Sequence, residues 1–113
     1  MNITTAVSGT FARIHARGEI DFDTLIPLCA AVAALPPQVT DLQWDLTGTA
    51  FMDVAGLHLL FNPAISDPAL RVTATGLGRQ PMRLLRIAAE TNPVVFDLSR
   101  LLPDSPPACP AAS

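Results

Sequence analysis

The chain has 113 residues, which is enough for one compact domain with a single core. Half of the residues are hydrophobic and only 15% are charged, a composition that excludes a disordered or solvating chain. The net charge of −3 provides no basic field for phosphates, so neither nucleic acid nor an anionic membrane surface is expected as a partner.

Cysteine usage and the N-terminus favour a cytoplasmic protein. Cys29 lies in an apolar run, as expected for a packed core thiol, and Cys109 lies in a proline-rich segment, so no disulfide framework is predicted. The longest apolar run, residues 26–35, is far shorter than the roughly 20 residues of a membrane-spanning helix. No signal peptide and no direct membrane insertion are expected.

Alternation of apolar and polar residues predicts strands at the start of the chain. Residues 10–18 alternate throughout, and a second β-prone run, residues 3–7, lies before Gly9. The two runs predict a hairpin or two successive strands. The polar positions of the second strand are typical of a solvated sheet face: Arg13, His15 and Arg17.

Helical spacing then replaces alternation. Apolar residues recur every three or four positions over residues 25–35, with Asp23 or Thr24 as the N-cap. Pro27 is expected in the first turn, where no backbone amide is needed, and Pro36 ends the helix.

Two further strands are separated by a helix. Residues 41–46 predict a strand with one apolar face, and residues 70–75 predict a third core strand. Between them, residues 54–61 predict a buried helix that is capped by Asp53 and cut short or bent by Pro63.

The last third of the chain predicts a helix, a strand and a tail. Pro81 opens the helix, and residues 93–96 predict a short terminal strand. Residues 99–113 are rich in proline and small residues and are expected to form a disordered tail. The helix carries an arginine row that is usual for a solvated face: Arg79, Arg83 and Arg86.

The element order is therefore β(β)αβαβαβ. Strands separated by helices predict an α/β fold with a largely parallel or mixed central sheet. We expect about four or five strands and three or four helices in a single domain over residues 1–98.

No enzymatic constellation is evident in the sequence. His15 and His58 lie on different predicted elements, and no cluster of His, Cys, Asp or Glu has metal-ligand spacing. No serine lies beside a plausible base. We expect no catalytic residue, no bound metal and no cofactor.

One segment, residues 45–57, carries a composite motif. It contains Asp-Leu-Thr-Gly, an apolar pair and Asp-Val-Ala-Gly-Leu, while residues 18–21 are Gly-Glu-Ile-Asp. These pieces resemble motifs of the STAS domain, which occurs in anti-sigma-factor antagonists and in sulfate-transporter tails. The resemblance covers roughly residues 3–98 and implies the STAS fold.

The resemblance also implies a docking protein that is controlled by phosphorylation. In antagonists of this family, the second hydroxyl residue of Asp-Ser-Ser-Gly is phosphorylated by a partner kinase that is also the anti-sigma factor, and the phosphate breaks the complex. A phosphate at a helix N-terminus meets free amides and adds about −1.5 to −2 charges to the docking surface.

This chain lacks that switch, because Val54 and Ala55 occupy the two hydroxyl positions. We expect no phosphosite at Ala55, and the alternative phosphosites are the nearby hydroxyls of Thr47 and Thr49. Three hypotheses follow: a constitutive binder, a module switched elsewhere, or a scaffold that never used this chemistry.

The partner implied by the resemblance is an anti-sigma factor or kinase-like protein in bacterial sigma-factor or stress signalling, and a second copy of the chain is a further candidate. One alternative is an accessory subunit of a lipid or anion transport system, which would use the arginine row. Another is a sensor of a small ligand. The surface expected to bind the partner comprises Asp21, Thr47, Thr49, Asp53, Val54, Ala55, Gly56 and Leu57.

Overall fold

A four-stranded mixed sheet forms the centre of the protein. In the sheet, β1 and β2 are antiparallel, whereas β2, β3 and β4 are parallel to one another, and the strands lie side by side in that order. The structure is a computed structural model that describes residues 1–61 and 70–102. The strand bounds are β1 Asn2–Ser8, β2 Phe11–Arg17, β3 Asp41–Asp45 and β4 Arg71–Thr75.

Four helices accompany the sheet in the described part of the chain. The first follows β2, the second lies between β3 and β4 in sequence, and the last two follow β4. The predicted α/β fold with a mixed sheet is thus confirmed, and residues 1–61 and 70–102 contain four strands and four helices. The helix bounds are α1 Phe22–Ala33, α2 Val54–Phe61, α3 Arg79–Thr91 and α4 Leu98–Leu101.

The first two strands form a tight hairpin. Ser8 is opposite Phe11, so the connection has two residues, Gly9 and Thr10. Gly9 has a φ of 60°, in the left-handed region, whereas Thr10 does not have a positive φ. This combination fits a type II′ turn, whose twist matches that of the flanking strands.

One face of the sheet is apolar and holds the core. Trp44 of β3 is fully buried between its neighbours Ile14 of β2 and Ala74 of β4, and the small Ala74 side chain leaves room for the indole. Buried residues from all four helices belong to the same cluster, including Leu28, Leu60, Leu85 and Leu101.

The other face of the sheet is polar, as alternation along β2 predicts. Arg13 and Arg17 are exposed there, and His15 is half-buried. The Nε of Arg13 donates to Oε1 of Gln43 on β3 at 2.9 Å. This face is therefore held partly by its own cross-strand contacts.

Helix α1 begins earlier than its apolar spacing predicts. Asp21, not Asp23 or Thr24, is the N-cap. Its Oδ1 accepts from the backbone N of Thr24 at 3.0 Å, and the Thr24 hydroxyl accepts from the backbone N of Asp21 at 2.9 Å. This capping box fixes the start of α1 at Phe22, so Pro27 lies in the second turn and not in the first. In the second turn, the missing amide of Pro27 removes one helical hydrogen bond.

The predicted terminal strand over residues 93–96 is wrong, because the segment is a turn. Asn92 accepts hydrogen bonds from two amides of this segment. Its backbone carbonyl accepts from the amide of Phe96 at 2.9 Å, and its Oδ1 accepts from the amide of Val95 at 3.3 Å. Pro93 has no amide to donate. The β-propensity of the valine pair is therefore overridden by local side-chain and backbone bonding.

Ordered structure continues beyond residue 98, where the sequence places the end of the domain. Asp97 caps α4 by accepting from the amide of Ser99, and Leu101 of this helix is buried in the core. Residues 98–102 are therefore part of the described structure, and the rest of the predicted tail, residues 103–113, lies outside the described residues. Pro63, predicted to shorten α2, also lies outside them.

Close packing holds α2 against the segment that precedes it. Gly56 is buried, and a Cβ at this position would overlap Cγ and Sδ of the fully buried Met52 side chain. Only glycine allows this approach. The contact fixes the rotation of α2 about its own axis, with Ala55 and Leu57 turned towards the core.

We predict that Gly56→Ala lowers the free energy of unfolding by about 1–3 kcal/mol, because overpacking against Met52 outweighs the better helix propensity of alanine. Urea unfolding followed by circular dichroism measures this change. Met52→Ala completes a double-mutant cycle. The loss of stability in the double variant should be smaller than the sum of the losses in the two single variants by at least about 1 kcal/mol. A Gly56→Ala protein as stable as the parent would contradict the proposed packing.

Candidate functional site

The candidate site lies where β2 and β3 end and α1 and α2 begin. Beyond the regular strands, the amide of Gly18 donates to the carbonyl of Gly48 at 3.1 Å, and the amide of Ile20 donates to Phe51 at 3.0 Å. The amide of Asp53 donates back to the carbonyl of Ile20, also at 3.0 Å. Backbone hydrogen bonds therefore join the two motif segments, residues 18–21 and residues 45–57, and this pairing brings the N-termini of α1 and α2 side by side.

The loop that follows β3 is fixed by two threonines with different roles. Thr49 is buried, with only 2% of its surface exposed, and its hydroxyl donates to the carbonyl of Ala16 at 2.9 Å. Thr47 is exposed, and its hydroxyl donates to Oδ1 of Asp45 at 2.6 Å. Of these two predicted phosphosites, only Thr47 is accessible.

The hydrogen bond from the Thr47 hydroxyl holds the pKa of the Asp45 carboxyl below its usual value, with smaller contributions from the nearby charges of His15 and Arg13. Asp45 also accepts from the backbone N of Thr47 at 3.1 Å. The carboxylate form is thus the form that orders the beginning of the loop.

Gln80 of α3 and Gly76, which precedes α3, make contacts to the site that the sequence did not predict. The side chain of Gln80 accepts from the amide of Met52 at 2.8 Å and donates to the carbonyl of Met52 at 2.9 Å. Gly76, with a φ of 73°, lies so close to Thr47 that a Cβ would meet its backbone N at 2.8 Å. The loop is therefore held from the α3 side as well as from the α1 side.

Asp53 occupies the N-terminus of α2, as the sequence predicts. Its Oδ1 accepts from the amide of Ala55 at 2.8 Å, and its carbonyl accepts from the amide of Gly56 at 2.9 Å. Val54, the first residue of the helix, is 54% exposed, whereas Ala55 is 0% exposed. Of the two positions that carry hydroxyls in the STAS motif, only position 54 is accessible to another molecule.

Burial corrects part of the predicted partner surface. Thr49, Ala55, Gly56 and Leu57 are buried in the domain, so they offer little or no surface to a partner. The accessible members of the predicted set lie around the paired helix N-termini and are exposed or half-buried: Asp21, Thr47, Asp53 and Val54.

Apolar side chains extend this surface along α1. Phe22 and Ile26 are 61% and 76% exposed, and the Phe22 ring lies 6.4 Å from the His58 ring of α2. Val54 is one helical turn before His58. We refer to Phe22, Ile26, Val54 and His58 as the α1–α2 patch. Contiguous exposed apolar side chains are a usual mark of an interaction surface.

The patch was only partly predictable. Val54 follows from the motif, but Phe22 and Ile26 lie off the stripe that buries Leu28 and Val32. A usable signal was present, because a helix that is apolar on two faces needs a second partner for the outer face.

Carboxylates border the α1–α2 patch. Glu19 and Asp23 are exposed, and the two cap residues Asp21 and Asp53 are half-buried. None of them forms an ion pair within residues 1–61 and 70–102, where the salt bridge present joins Arg71 to Asp41 at 3.6 Å. The surface thus has an apolar centre with an acidic border.

Other candidate features do not converge on a site. The described residues contain no group of three or more potential metal ligands, and no helix among them is long and apolar enough to cross a membrane. Burial raises the pKa of the half-buried Cys29 thiol, which favours the unreactive thiol form. The arginine row of α3 lies on an exposed face, as predicted.

Comparison with known proteins identifies the fold. No protein-family model matches the chain, and no curated protein matches it. Among solved structures, the unphosphorylated anti-sigma factor antagonist SpoIIAA is 22% identical, with a TM-score of 0.57 over 73% of this chain and 78% of its own. An anti-sigma factor antagonist from Mycobacterium paratuberculosis is 22% identical, with a TM-score of 0.60 over 81% of this chain and 82% of its own.

The Bacillus cell fate determinant SpoIIAA in its phosphorylated form is 18% identical, with a TM-score of 0.60 over 89% of this chain and 88% of its own. These similarities show that the chain has the STAS-like fold of anti-sigma factor antagonists. The fold implied by the sequence motifs is thereby confirmed.

We predict that Thr47→Val raises the pKa of Asp45 towards its ordinary value, because the strongest stabiliser of the carboxylate is lost. A titration of the side-chain carboxyl carbons by NMR measures this pKa. Asp97 is an internal control, since its pKa is lowered by its own hydrogen bond from Ser99 and should not move.

The same change should alter the pH dependence of folding. A lowered carboxyl pKa stabilises the fold at pH values above the ordinary value and loses that effect as the pH falls through the folded-state value. The stability difference between parent and variant should therefore be present at neutral pH and shrink in acid. A difference that persists unchanged in acid would contradict the role of the hydrogen bond.

Proposed function

We propose that this protein is a non-enzymatic docking module that binds an anti-sigma factor or related kinase-like protein constitutively. The observation that carries the proposal is the α1–α2 patch, in which 61% of Phe22, 76% of Ile26 and 54% of Val54 is exposed at one continuous surface. The fold shared with anti-sigma factor antagonists supports the class of partner.

The site is suited to rigid docking. Backbone hydrogen bonds from Gly18, Ile20 and Asp53, together with the Gln80 contacts to Met52, leave little for a partner to order. A surface that is already ordered loses less conformational entropy on binding than a mobile one. The partner complementary to this surface has an apolar recess bordered by arginine or lysine side chains.

The chemistry that is accessible at the start of α2 supports constitutive binding. SpoIIAA is known in unphosphorylated and phosphorylated forms. In this chain the accessible position at the start of α2 is a valine, and the buried position after it is an alanine. The hydroxyl of Thr49 is buried and bonded to Ala16, so Thr47 is the accessible hydroxyl on this loop.

The proposal is tested by affinity purification from the cytosol of the source organism, with and without ATP, and identification of the bound proteins. The purified partner and the full chain are then mixed and analysed by gel filtration. A complex with a kinase-like anti-sigma factor that persists in ATP supports the proposal. Recovery of a membrane transport ATPase in its place, or dissociation in ATP with phosphate on this chain, would overturn it.

We predict that Val54→Asp weakens binding to that partner by at least about tenfold, because it places a charge at the centre of the apolar patch. Its stability should change by no more than about 0.5–1 kcal/mol, since Val54 is exposed and an acidic residue suits a helix N-terminus. Isothermal calorimetry and urea unfolding measure the two effects.

Two variants control this prediction. Ile87→Asp alters a residue of α3 that is also 54% exposed but lies outside the patch, and it should leave binding unchanged. Ala55→Asp buries a charge and should lower the free energy of unfolding by about 3 kcal/mol or more. Equal loss of binding in the Val54 and Ile87 variants would exclude the patch as the docking surface.

A further inference from the structure

Strand β1 is an open edge of the sheet. Among the described residues it pairs with β2 alone, and six of its seven residues are exposed. Its sequence, Asn-Ile-Thr-Thr-Ala-Val-Ser, has no charge, no proline and no glycine. The pairing with β2 runs without a bulge from Asn2 to Ser8. The edge strands of monomers usually carry a charge, a proline or a bulge, because an unprotected edge recruits another strand.

The opposite edge of the sheet is protected. Strand β4 begins with Arg71, which pairs with Asp41 at 3.6 Å, and helix α4 packs against this strand. The lack of protection is therefore particular to β1.

The hairpin determines which backbone groups of β1 are free. In a two-residue turn, Ser8 and Phe11 form a hydrogen-bonded pair. Because antiparallel partners alternate, the even-numbered residues of β1 bond to β2. The amides and carbonyls of Ile3, Thr5 and Val7 therefore point away from the sheet.

We propose that a second copy of this chain pairs with β1 in antiparallel orientation, with the two-fold axis at Thr5. In this register Thr5 lies opposite Thr5 of the second copy, and Ile3 lies opposite Val7. The three outward-facing residues then exchange about six backbone hydrogen bonds. The two sheets become one continuous sheet of eight strands.

Self-complementarity of the edge favours a second copy as the occupant. A two-fold axis requires the same strand to match itself, and β1 does so without bringing like charges together. Val7 is 42% exposed although it lies on the apolar side of the sheet, and Ile3 of the second copy would cover it. A single strand pair is smaller than a standard interface, so we expect a weak, reversible dimer.

Sedimentation equilibrium of the full chain, between about 10 μM and about 1 mM, tests the proposal, with a rising dimer fraction as the expected result. Amide hydrogen exchange tests the register. The amides of Ile3, Thr5 and Val7 should exchange more slowly as concentration rises, while those of Thr4 and Ala6 should be protected at all concentrations. A monomer throughout this range, or exchange at Thr5 that is independent of concentration, would overturn the proposal.

Two substitutions separate this edge from other interfaces. Thr5→Pro removes an outward amide and should abolish the dimer, whereas Thr5→Ala keeps the amide and should preserve it. Val7→Lys adds an edge charge and should also give a monomer, which covers the case in which the proline variant does not fold. A dimer that survives Val7→Lys unchanged would place the interface elsewhere. None of these residues belongs to the α1–α2 patch, so the result is independent of the proposed docking function.

Discussion

Backbone pairing beyond the ends of β2 and β3 is the constraint on which the site depends. The bonds between residues 18–20 and residues 48–53 continue the sheet past its regular strands, and they bring two helix N-termini to one place. Each helix then carries its own carboxylate cap, Asp21 or Asp53. Without this pairing, Phe22 and Val54, the first residues of the two helices, would not be held next to each other and could not present a common surface.

Much of the fold was predictable, because alternation along β2, β3 and β4 matches burial on one sheet face. The start of α1 was missed, because its cap precedes the first residue of the buried stripe by several positions. The position of Asp53 at the start of α2 agrees with the prediction from the motif. Which side chain of the first turn of α2 faces outward was not predictable, since the rotation of the helix depends on the contact of Gly56 with Met52.

Under the proposed function, the amount of complex depends on the amounts of the two proteins. Val54 contributes exposed apolar area at the start of α2, directly before Ala55, the position that matches the phosphorylated hydroxyl of the STAS motif. If the chain also pairs through β1, one assembly presents two copies of the docking surface. A partner that is itself dimeric would then be retained more strongly than either single contact allows.

Trp44 gives the molecule a simple optical property. It is the single tryptophan of a chain without tyrosine, it is fully buried, and its indole N–H has no hydrogen-bond partner among the described residues. Its fluorescence therefore comes from an indole that is shielded from bulk solvent within the sheet, whereas the α1–α2 patch is exposed. Emission at short wavelength should report the integrity of the core, and it should stay nearly constant when a partner docks.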